Sequence, residues 1–306
     1  MRLKSVDILS FLSVYLIWGS TYLAIRYAID GIPPWTLSSL RFFVAAALML
    51  ALGLLRRESK ITPAEKKTAI ISGAFLVIAN GFVCVTEAWV ASGVVAVIIG
   101  AMPIWILLMG WFFFGEGRPA VRQILGALIG VGGIALIAGT GHAAVIGDGP
   151  GLIVGVFFLF LSGVLWASGT LLQRRTKGLT SLFRFSAWQM FSGAIATGLL
   201  SLALEKPWSL AWLEIPAVSW WSLGYLIVFG SLVSFSAYLH LSRNFAPAVV
   251  STYALVNPLI AVGLGWLFLR EPVDLKFALA TLLVLVGLAL LLFKKRPPAP
   301  SPTAEP

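Results

Sequence analysis

The sequence predicts an all-α integral membrane protein with ten transmembrane helices, arranged as two inverted five-helix repeats around a central cavity. Three observations lead to this prediction: the composition, the spacing of the apolar runs, and a pattern that occurs once in each half of the chain. Of the 306 residues, 59% are hydrophobic and only 11% are charged, whereas about 25% of the residues of a typical soluble domain are charged. Because so much apolar surface needs an apolar solvent, the composition indicates a protein of the lipid bilayer.

Each apolar run is long enough for a spanning helix, which needs about 20 mainly apolar residues. Glycine, proline and charged residues separate the runs. The first run follows a short basic start and is longer than the apolar core of a signal peptide, so we interpret it as an uncleaved first helix. The predicted spans are 7–27, 35–55, 68–89, 93–114, 121–139, 151–172, 182–204, 219–240, 247–269 and 274–293.

The basic residues predict which side of the membrane each loop occupies, because short cytoplasmic loops are enriched in lysine and arginine. If the N-terminus is cytoplasmic, the cytoplasmic side holds most of them, including the clusters at 56–67, 174–184 and 294–296. The other side holds Arg26, Lys206, Arg270 and Lys276. We therefore predict a multi-pass protein of the plasma membrane with both termini in the cytoplasm.

The charge and the cysteine content argue against several other classes of protein. The net charge of +10 does not indicate a nucleic-acid partner, because the basic residues lie between apolar runs and not on one face of a soluble domain. The single cysteine, Cys84, provides neither a disulfide framework nor Cys/His metal spacing. We expect no metal and no cofactor. The expected partners are the bilayer and a small-molecule substrate, with a monomer favoured.

A pattern in the fourth span is repeated in the ninth. The segment MPIWILLMGWFFFGE at 102–116 aligns without gaps with NPLIAVGLGWLFLRE at 257–271. Pro103 aligns with Pro258, and both segments contain Gly-Trp and end on glutamate. The repetition predicts that the two halves of the chain share one fold.

Earlier spans of the two halves match as well, since Trp18 aligns with Trp166 and Arg41 with Gln189. Because each half has five spans, an odd number, the second half must be inverted relative to the first. Inverted repeats are typical of secondary transporters, whose substrate site lies near the middle of the membrane. We predict three regions: a first repeat at 7–139, a second repeat at 150–293, and a basic, proline-rich cytoplasmic tail at 294–306.

These motifs together resemble a known family. WGSTYLAIR in the first span, SSLRFF in the second, the proline and Gly-Glu of the fourth and the glycine-rich fifth span are similar to the EamA-type drug/metabolite transporter superfamily. NGFVCVTEAWVASGVVAV is similar to its bacterial inner-membrane metabolite exporters. The resemblance implies ten helices, a cavity between helices 1, 3, 4, 6, 8 and 9, and efflux of amino acids or related small molecules. The second half departs from the first at Gln189 and Arg270, which puts strict symmetry of roles in doubt.

Two ionisable residues within the spans are candidates for gating or coupling, because charges in a membrane are costly and therefore often functional. Arg41 and Glu87 are predicted at a similar outer depth, so we expect an ion pair that breaks in one conformational state. A permanent structural pair, or a Glu87 side chain that reaches water, are the alternatives. Glu87 is also a candidate for substrate binding and for proton coupling, since burial of a carboxyl group favours its protonated form.

Several aromatic and amide side chains are candidates for substrate binding. Packing against lipid or other helices is the alternative for each of them. His240 lies at the inner end of the eighth span and is a candidate pH sensor, or simply an interfacial polar residue. The binding candidates are Trp18, Trp105 and Trp166 as aromatic walls, and Asn80, Tyr238, Tyr253 and Asn257 as hydrogen-bonding groups.

Two prolines and two glutamates complete the candidates. Pro103 and Pro258 are predicted in the middle of their helices, where each removes a backbone hydrogen bond and produces a kink. They are candidate flex points for alternating access, or else static kinks. Glu116 and Glu271 lie at the ends of the repeated pattern, and we interpret them as structural.

The sequence therefore favours a secondary transporter that moves small amphipathic or aromatic metabolites, in the direction of export, by alternating access. We expect no enzyme, since no HExxH motif, no P-loop and no buried pair of acids is present. A channel or a sensor subunit is the remaining alternative.

Overall fold

The computed structural model describes residues 4–138, 150–176, 179–245, 247–250 and 252–292. All regular elements of these residues are helical, as predicted. Ten long helices are described: α1 (Ser5–Ile29), α2 (Pro34–Leu55), α3 (Pro63–Glu87), α4 (Ser92–Phe113), α5 (Val121–Ala138), α6 (Leu152–Arg174), α7 (Leu182–Leu204), α8 (Ala217–Tyr238, with its last turns to Asn244), α9 (Tyr253–Leu269) and α10 (Leu275–Leu292).

Nine of these described helices are long and apolar enough to cross a membrane, and α9, with 17 residues, is shorter. The predicted start of the ninth span is wrong, because a separate short helix, Pro247–Val250, precedes α9. Two single turns, Pro207–Ser209 and Trp212–Glu214, lie between α7 and α8. The predicted tail at 294–306 and the repeat ends at 139 and 293 lie outside the described residues.

Contacts between the loops place them on two faces of the bundle. On the face where α1 begins, Thr180 N–H donates to Glu65 at 2.7 Å, and Arg174 lies 3.8 Å from Glu116. We call this the N-terminal face. On the other side, which we call the opposite face, Ser219 donates to the Tyr27 carbonyl at 3.0 Å. Consecutive helices therefore run antiparallel to each other.

Helices α2 and α7 cap each other. The backbone N–H groups of Trp35 and Thr36, at the start of α2, donate to Glu205 after α7, at 2.7 and 2.8 Å. At the other face, Phe183 N–H, at the start of α7, donates to Glu58 after α2 at 3.2 Å. A carboxylate suits this position, because the first N–H groups of a helix have no partner within the helix and carry partial positive charge.

Four of the helices are irregular near the middle of the bundle. Helix α1 contains a π-helical segment at Ser13–Ile17, and α8 contains one at Leu226–Val233. Helix α4 is broken at Ala101 into Ser92–Gly100 and Met102–Phe113, and α9 contains Pro258. Because irregular backbone in a membrane has to be satisfied by protein or by a water-filled cavity, these segments point to the functional site.

Candidate functional site

A cavity of about 190 Å³ lies near the middle of the helices. Its walls come from α1, α2, α3 and α4 of the first half and from α6, α7, α8 and α9 of the second. The resemblance implied helices 1, 3, 4, 6, 8 and 9, and the structure adds α2 and α7. The irregular segments of α4, α8 and α9 border this cavity, and the irregular segment of α1 ends directly before Trp18, which lines it.

Aromatic side chains form much of the cavity wall. Trp18 and Trp166, the matched tryptophans of the two halves, both line it. The Trp18 ring is held in place by Tyr253 at 5.2 Å and Tyr238 at 5.4 Å between ring centroids. Its indole N–H donates to the Gly230 carbonyl in the π segment of α8 at 3.1 Å. Tyr253 lines the cavity as predicted, whereas Tyr238 supports Trp18 from behind and is not part of the wall.

Arg41 also lines the cavity, although its side chain is only 6% exposed. Its Nε donates to the Ser231 hydroxyl at 3.0 Å, and the Ser231 hydroxyl in turn donates to the Leu226 carbonyl at 3.0 Å. The guanidinium lies 4.8 Å from the centre of the Phe42 ring. Its Nη1 has no hydrogen-bond partner in the described part of the chain.

The predicted ion pair between Arg41 and Glu87 is not present. Arg41 is directed at α8, whereas Glu87 is the last residue of α3, closer to the opposite face. Glu87 is completely buried and does not line the cavity, and neither carboxyl oxygen has a hydrogen-bond partner among the described residues. A permanent pair is therefore wrong, and Glu87 does not reach water in this conformation. A pair that forms in another conformational state stays a prediction.

Gln189 is a cavity residue that was not among the predicted site residues. Its side-chain amide donates to the Ser72 hydroxyl and to Gln173 Oε1, each at 2.9 Å. Its alignment with Arg41 was the only indication in the sequence. The two aligned side chains thus occupy similar places, and each contacts a serine of the other half.

The predicted amides both reach the cavity. Asn80 lines it, and its Oδ1 lies 3.8 Å from the Cys84 sulfur. Asn257 lines it as well, and with its amide oriented to satisfy its neighbours it donates to the carbonyls of Tyr15 and Tyr253 at 3.1 Å. Asn257 therefore shapes the wall, whereas the amide nitrogen of Asn80 is directed to no described acceptor.

Two predictions on α4 are wrong. Trp105 is not part of the cavity wall, because its ring packs edge-on against Phe160 of α6 with centroids 4.9 Å apart. Gly163 lies under the same ring, where an added Cβ would be 2.5 Å from Trp105. Pro103 does not kink a continuous helix, because it lies at the start of the second part of α4, after the break at Ala101. Pro258, in contrast, lies inside α9 and lines the cavity, as predicted.

His240 is remote from the cavity and pairs with an acid at the N-terminal face. Its Nε2 lies 2.9 Å from the Oδ1 of Asp7, which is buried at the start of α1. Asn244, one turn further along α8, donates to the His240 carbonyl at 2.7 Å. His240 thus joins the end of α8 to the start of α1.

The repeated Gly-Trp pattern forms the same turn in both halves. Glu116 N–H donates to the Gly110 carbonyl at 2.9 Å, and Glu271 N–H donates to the Gly265 carbonyl at 3.1 Å. The residue before each glutamate has a positive φ, of +70° at Gly115 and +54° at Arg270. Such left-handed residues commonly end a helix, so the pattern is a helix stop.

The two glutamates of these turns have different surroundings. Glu271 is 6% exposed and caps α4: it accepts from Ser92 N–H at 2.7 Å, from the Ser92 hydroxyl at 2.8 Å and from Gly93 N–H at 2.9 Å. Glu116 is 48% exposed, and its contact with Arg174 at 3.8 Å is long and solvent-accessible. Among the described residues, only the copy on the opposite face therefore caps a helix of the other half.

The break in α4 separates two different packing partners. The segment before it packs on α9, since an added Cβ on Gly93 would meet Val262 at 3.2 Å and one on Gly100 would meet Pro258 at 2.5 Å. The segment after it packs on α6 through Trp105. On the opposite face α4 thus holds the two halves together, and towards the N-terminal face it turns from α9 to α6.

The comparisons with known proteins agree with this architecture. The model of the EamA-like transporter family matches residues 6–139 and again residues 153–293. The chain is 31% identical, over 83% of its length and 79% of the relative's, to "Uncharacterized inner membrane transporter YedA" of Escherichia coli (strain K12). It is 25% identical, over 92% of its length and 94% of the relative's, to "Uncharacterized transporter YoaV" of Bacillus subtilis (strain 168).

A solved crystal structure shares the fold, with a TM-score of 0.65 and 20% identity, over 95% of this chain and 99% of the other. The two family matches cover almost the whole chain and include all eight helices that form the cavity. The protein is therefore a member of the EamA-like transporter family of membrane proteins.

Proposed function

We propose that the protein is a secondary transporter that exports small metabolites across the bacterial inner membrane by alternating access. The observation that carries this proposal is the cavity near mid-helix depth, with walls from both halves of the chain. Secondary transporters built from two repeats bind their substrate at this place. The names of the relatives, which include an inner membrane transporter, support the location.

The two faces of the bundle differ in a way that fits one state of an alternating-access cycle. At the opposite face, Glu271 fastens α4 to the end of α9. Apolar side chains, including Ile25, Leu37 and Val94, fill the space between that face and the cavity. At the N-terminal face, Glu116 caps no helix in the part of the chain that the structure describes and lies 3.8 Å from Arg174. We infer that this conformation is closed at the opposite face and represents the inward-facing state if the N-terminus is cytoplasmic.

The reciprocal caps of α2 and α7 support the proposal that the halves are inverted repeats. Glu205 caps α2 at one face, and Glu58 caps α7 at the other. A pair of elements related by an axis in the membrane plane makes the same contact twice, once at each face. The matched hydrogen bonds from Arg41 to Ser231 and from Gln189 to Ser72 follow the same relation.

The cavity favours a small amphipathic solute, such as an amino acid or a related metabolite. Its volume of about 190 Å³ is below the ~300–1,000 Å³ that is common for drug-sized ligands. Trp18, Trp166 and Tyr253 offer apolar faces, and Asn80 offers an amide. This combination suits a ligand that has one apolar end and one polar end.

Glu87 remains the candidate for proton coupling, because its buried carboxyl group has no hydrogen-bond partner among the described residues that would fix its charge. A cycle that exposes it on one side only would load and release a proton. We expect that a pH gradient drives solute flux in proteoliposomes and that Glu87→Gln abolishes the response to the gradient while facilitated flux remains. Flux that does not respond to pH in the unmodified protein would remove the proton from the proposal.

A metabolite survey of cells that overexpress the protein, followed by reconstitution with each solute that accumulates outside, tests the function. We expect saturable flux and counterflow, in which solute on one side accelerates exchange from the other. Conductance that does not saturate would indicate a channel instead, and the absence of flux for every candidate solute would contradict transport.

A matched pair of tryptophan variants places the transport path. Trp166 lines the cavity, whereas Trp221 lies near the start of α8, outside the cavity, and is 80% exposed. We expect Trp166→Ala to raise KM by about tenfold, since stacking on one aromatic ring contributes roughly 1 kcal/mol or more. Trp221→Ala should leave KM unchanged. Equal effects of the two substitutions would contradict the assignment of the path to this cavity.

A further inference from the structure

We propose that Arg41 binds a single carboxylate group on the transported solute, so that the substrate is a small monocarboxylate with an aromatic or aliphatic body. The inference rests on the proposed transport function and goes beyond it by naming the anionic group of the substrate and the residue that recognises it. Three features support it: the charge of the cavity, the hydrogen-bond donors of Arg41, and the apolar side chains of the remaining wall.

The described residues that line the cavity carry one positive charge and no negative charge. Arg41 is the only lysine, arginine, aspartate or glutamate among the described residues that line it. No ion pair of Arg41 occurs in the described part of the chain, and Glu87 lies elsewhere. A buried charge without a partner is costly, and in a membrane such a residue usually serves a ligand or a coupled charge. An anion that enters the cavity would supply the missing partner.

The hydrogen-bonding state of the guanidinium group leaves room for one ligand. Nε is occupied by Ser231, which is itself fixed by the π-helical backbone of α8 through the Leu226 carbonyl. Nη1 is buried and has no hydrogen-bond partner within the described ranges of the chain. A guanidinium held at Nε presents its remaining N–H groups in a fixed direction, and these groups match the two oxygens of a carboxylate. The group is thus oriented before any ligand arrives.

The counterpart of Arg41 in the second half cannot play the same role. Gln189 carries no charge, and its amide already donates to Ser72 and Gln173. The cavity therefore has one charged end, at α2 and α8, and one neutral end. A solute with two or more negative charges would find one cation among the described lining residues, so the structure favours a monocarboxylate over a phosphate ester.

The rest of the wall accommodates the apolar part of such a solute. Phe42 lies directly beside the guanidinium, at 4.8 Å. Trp18, Tyr22 and Trp166 line the same cavity. Aromatic faces near a cation strengthen the field at the anion site, because they exclude water and lower the local dielectric constant.

Binding of three matched ligands to the purified full-length protein tests the proposal. The ligands are 3-phenylpropanoate, 3-phenylpropanamide and 3-phenylpropylammonium, which share one skeleton and differ only in the charge of the head group. We expect the carboxylate to bind at least about tenfold more tightly than the amide. A hydrogen bond to a charged group contributes about 1–1.5 kcal/mol more free energy than a neutral one, which corresponds to about tenfold in Kd. The ammonium should bind most weakly.

Four variants assign the preference to the proposed group. Arg41→Gln should remove the preference for the carboxylate, and Arg41→Lys should keep part of it. Ser231→Ala, which frees Nε without removing the charge, should reduce the preference by less than Arg41→Gln. Arg26→Gln is the control, because Arg26 is also an arginine but pairs with Asp30 at 3.3 Å outside the cavity. It should leave the preference unchanged.

Each outcome supports or contradicts the proposal. Equal binding of the carboxylate and the amide to the unmodified protein would overturn it, as would a preference that persists in Arg41→Gln. If Arg41→Gln does not fold, the ranking of the three ligands and the Ser231→Ala result decide. Transport only of solutes that lack a carboxylate group would overturn the carboxylate site and leave the transporter intact. A carboxylate that binds through Arg41 while no solute crosses the membrane would contradict the transport function instead.

Discussion

The segments GWFFFGE at 110–116 and GWLFLRE at 265–271 form the same turn and serve different purposes. In both, the glutamate N–H closes a turn onto the glycine carbonyl. On the opposite face, Glu271 then reaches across to the other half and caps α4. On the N-terminal face, Glu116 stays half exposed beside Arg174. The comparison teaches that a repeated sequence fixes local backbone geometry, whereas the partner that the motif meets depends on the conformation of the whole bundle.

Replacement of the two glutamates should give the largest difference between the segments. In Glu271→Gln, one of the three donors from Ser92 and Gly93 has to face an amide N–H₂ group, whichever way the amide is turned. A lost hydrogen bond to a buried charged group costs about 1.5–3 kcal/mol. We expect a clear drop in the thermal midpoint of unfolding for Glu271→Gln and almost none for Glu116→Gln, measured in the same detergent. Equal drops would contradict the assigned difference.

The glycines under the two glutamates should show a smaller difference of the same sign. An added Cβ on Gly265 would lie 2.3 Å from Glu271 Oε2, and one on Gly110 would lie 2.6 Å from Glu116 Oε2. Because Glu271 is held by three hydrogen bonds and Glu116 is free to move, Gly265→Ala should destabilise the protein by about 1–3 kcal/mol and Gly110→Ala by less. Chemical denaturation of both variants checks this order. A larger effect at Gly110 would show that the Glu116 turn is the more constrained one.

The caps of α2 and α7 serve as a control for this contrast, because a glutamate caps a helix at each of the two faces. Glu205 accepts from Trp35 N–H, Thr36 N–H and the Thr36 hydroxyl, and Glu58 accepts from the Ser181 hydroxyl and Phe183 N–H. We expect Glu205→Gln and Glu58→Gln each to destabilise by about 1 kcal/mol, typical of a lost cap. Thermal unfolding of both variants measures the costs. A loss at one face alone would contradict the reciprocal arrangement.

The smallest effect should come from the ion pair of Glu116. Arg174 is 50% exposed and its nitrogen lies 3.8 Å from the glutamate oxygen, and surface pairs of this kind contribute about 0–1 kcal/mol. We expect Arg174→Gln to leave the midpoint of unfolding unchanged within error. A marked loss of stability would show that Glu116 is fastened after all and would weaken the contrast with Glu271.

The helices were predictable from the sequence, because length, hydropathy and the repeat constrain them directly. Three of the six described aromatic residues that line the cavity, Trp18, Trp166 and Tyr253, were also predicted. Trp18 and Trp166 were found through their alignment, and both line the cavity. The position of Pro258 inside a helix was predictable too. Proline leaves one backbone carbonyl of the helix without its usual N–H donor, and Pro258 lines the cavity.

The contacts between helices were not predictable in the same way. Depth in the membrane suggested that Arg41 meets Glu87, but depth says nothing of rotation about the helix axis, and Arg41 faces α8. Trp105 lies at a suitable depth as well, yet the break at Ala101 turns it towards α6. The π segments at Ser13–Ile17 and Leu226–Val233 leave no recognisable pattern in the sequence, although they place Trp18 and Ser231 at the cavity.

The central claim, that Glu271 closes the cavity at the opposite face, is tested most directly by labelling of one buried cysteine. Ile25 lines the cavity, belongs to the apolar cluster towards that face and is fully buried, so Ile25→Cys in a Cys84→Ala background is the reporter. We expect slow reaction with a membrane-impermeant maleimide added at the opposite face, faster reaction by about tenfold or more once Glu271→Gln is added, and no change with Glu116→Gln. An unchanged rate in the Glu271→Gln variant would contradict the claim.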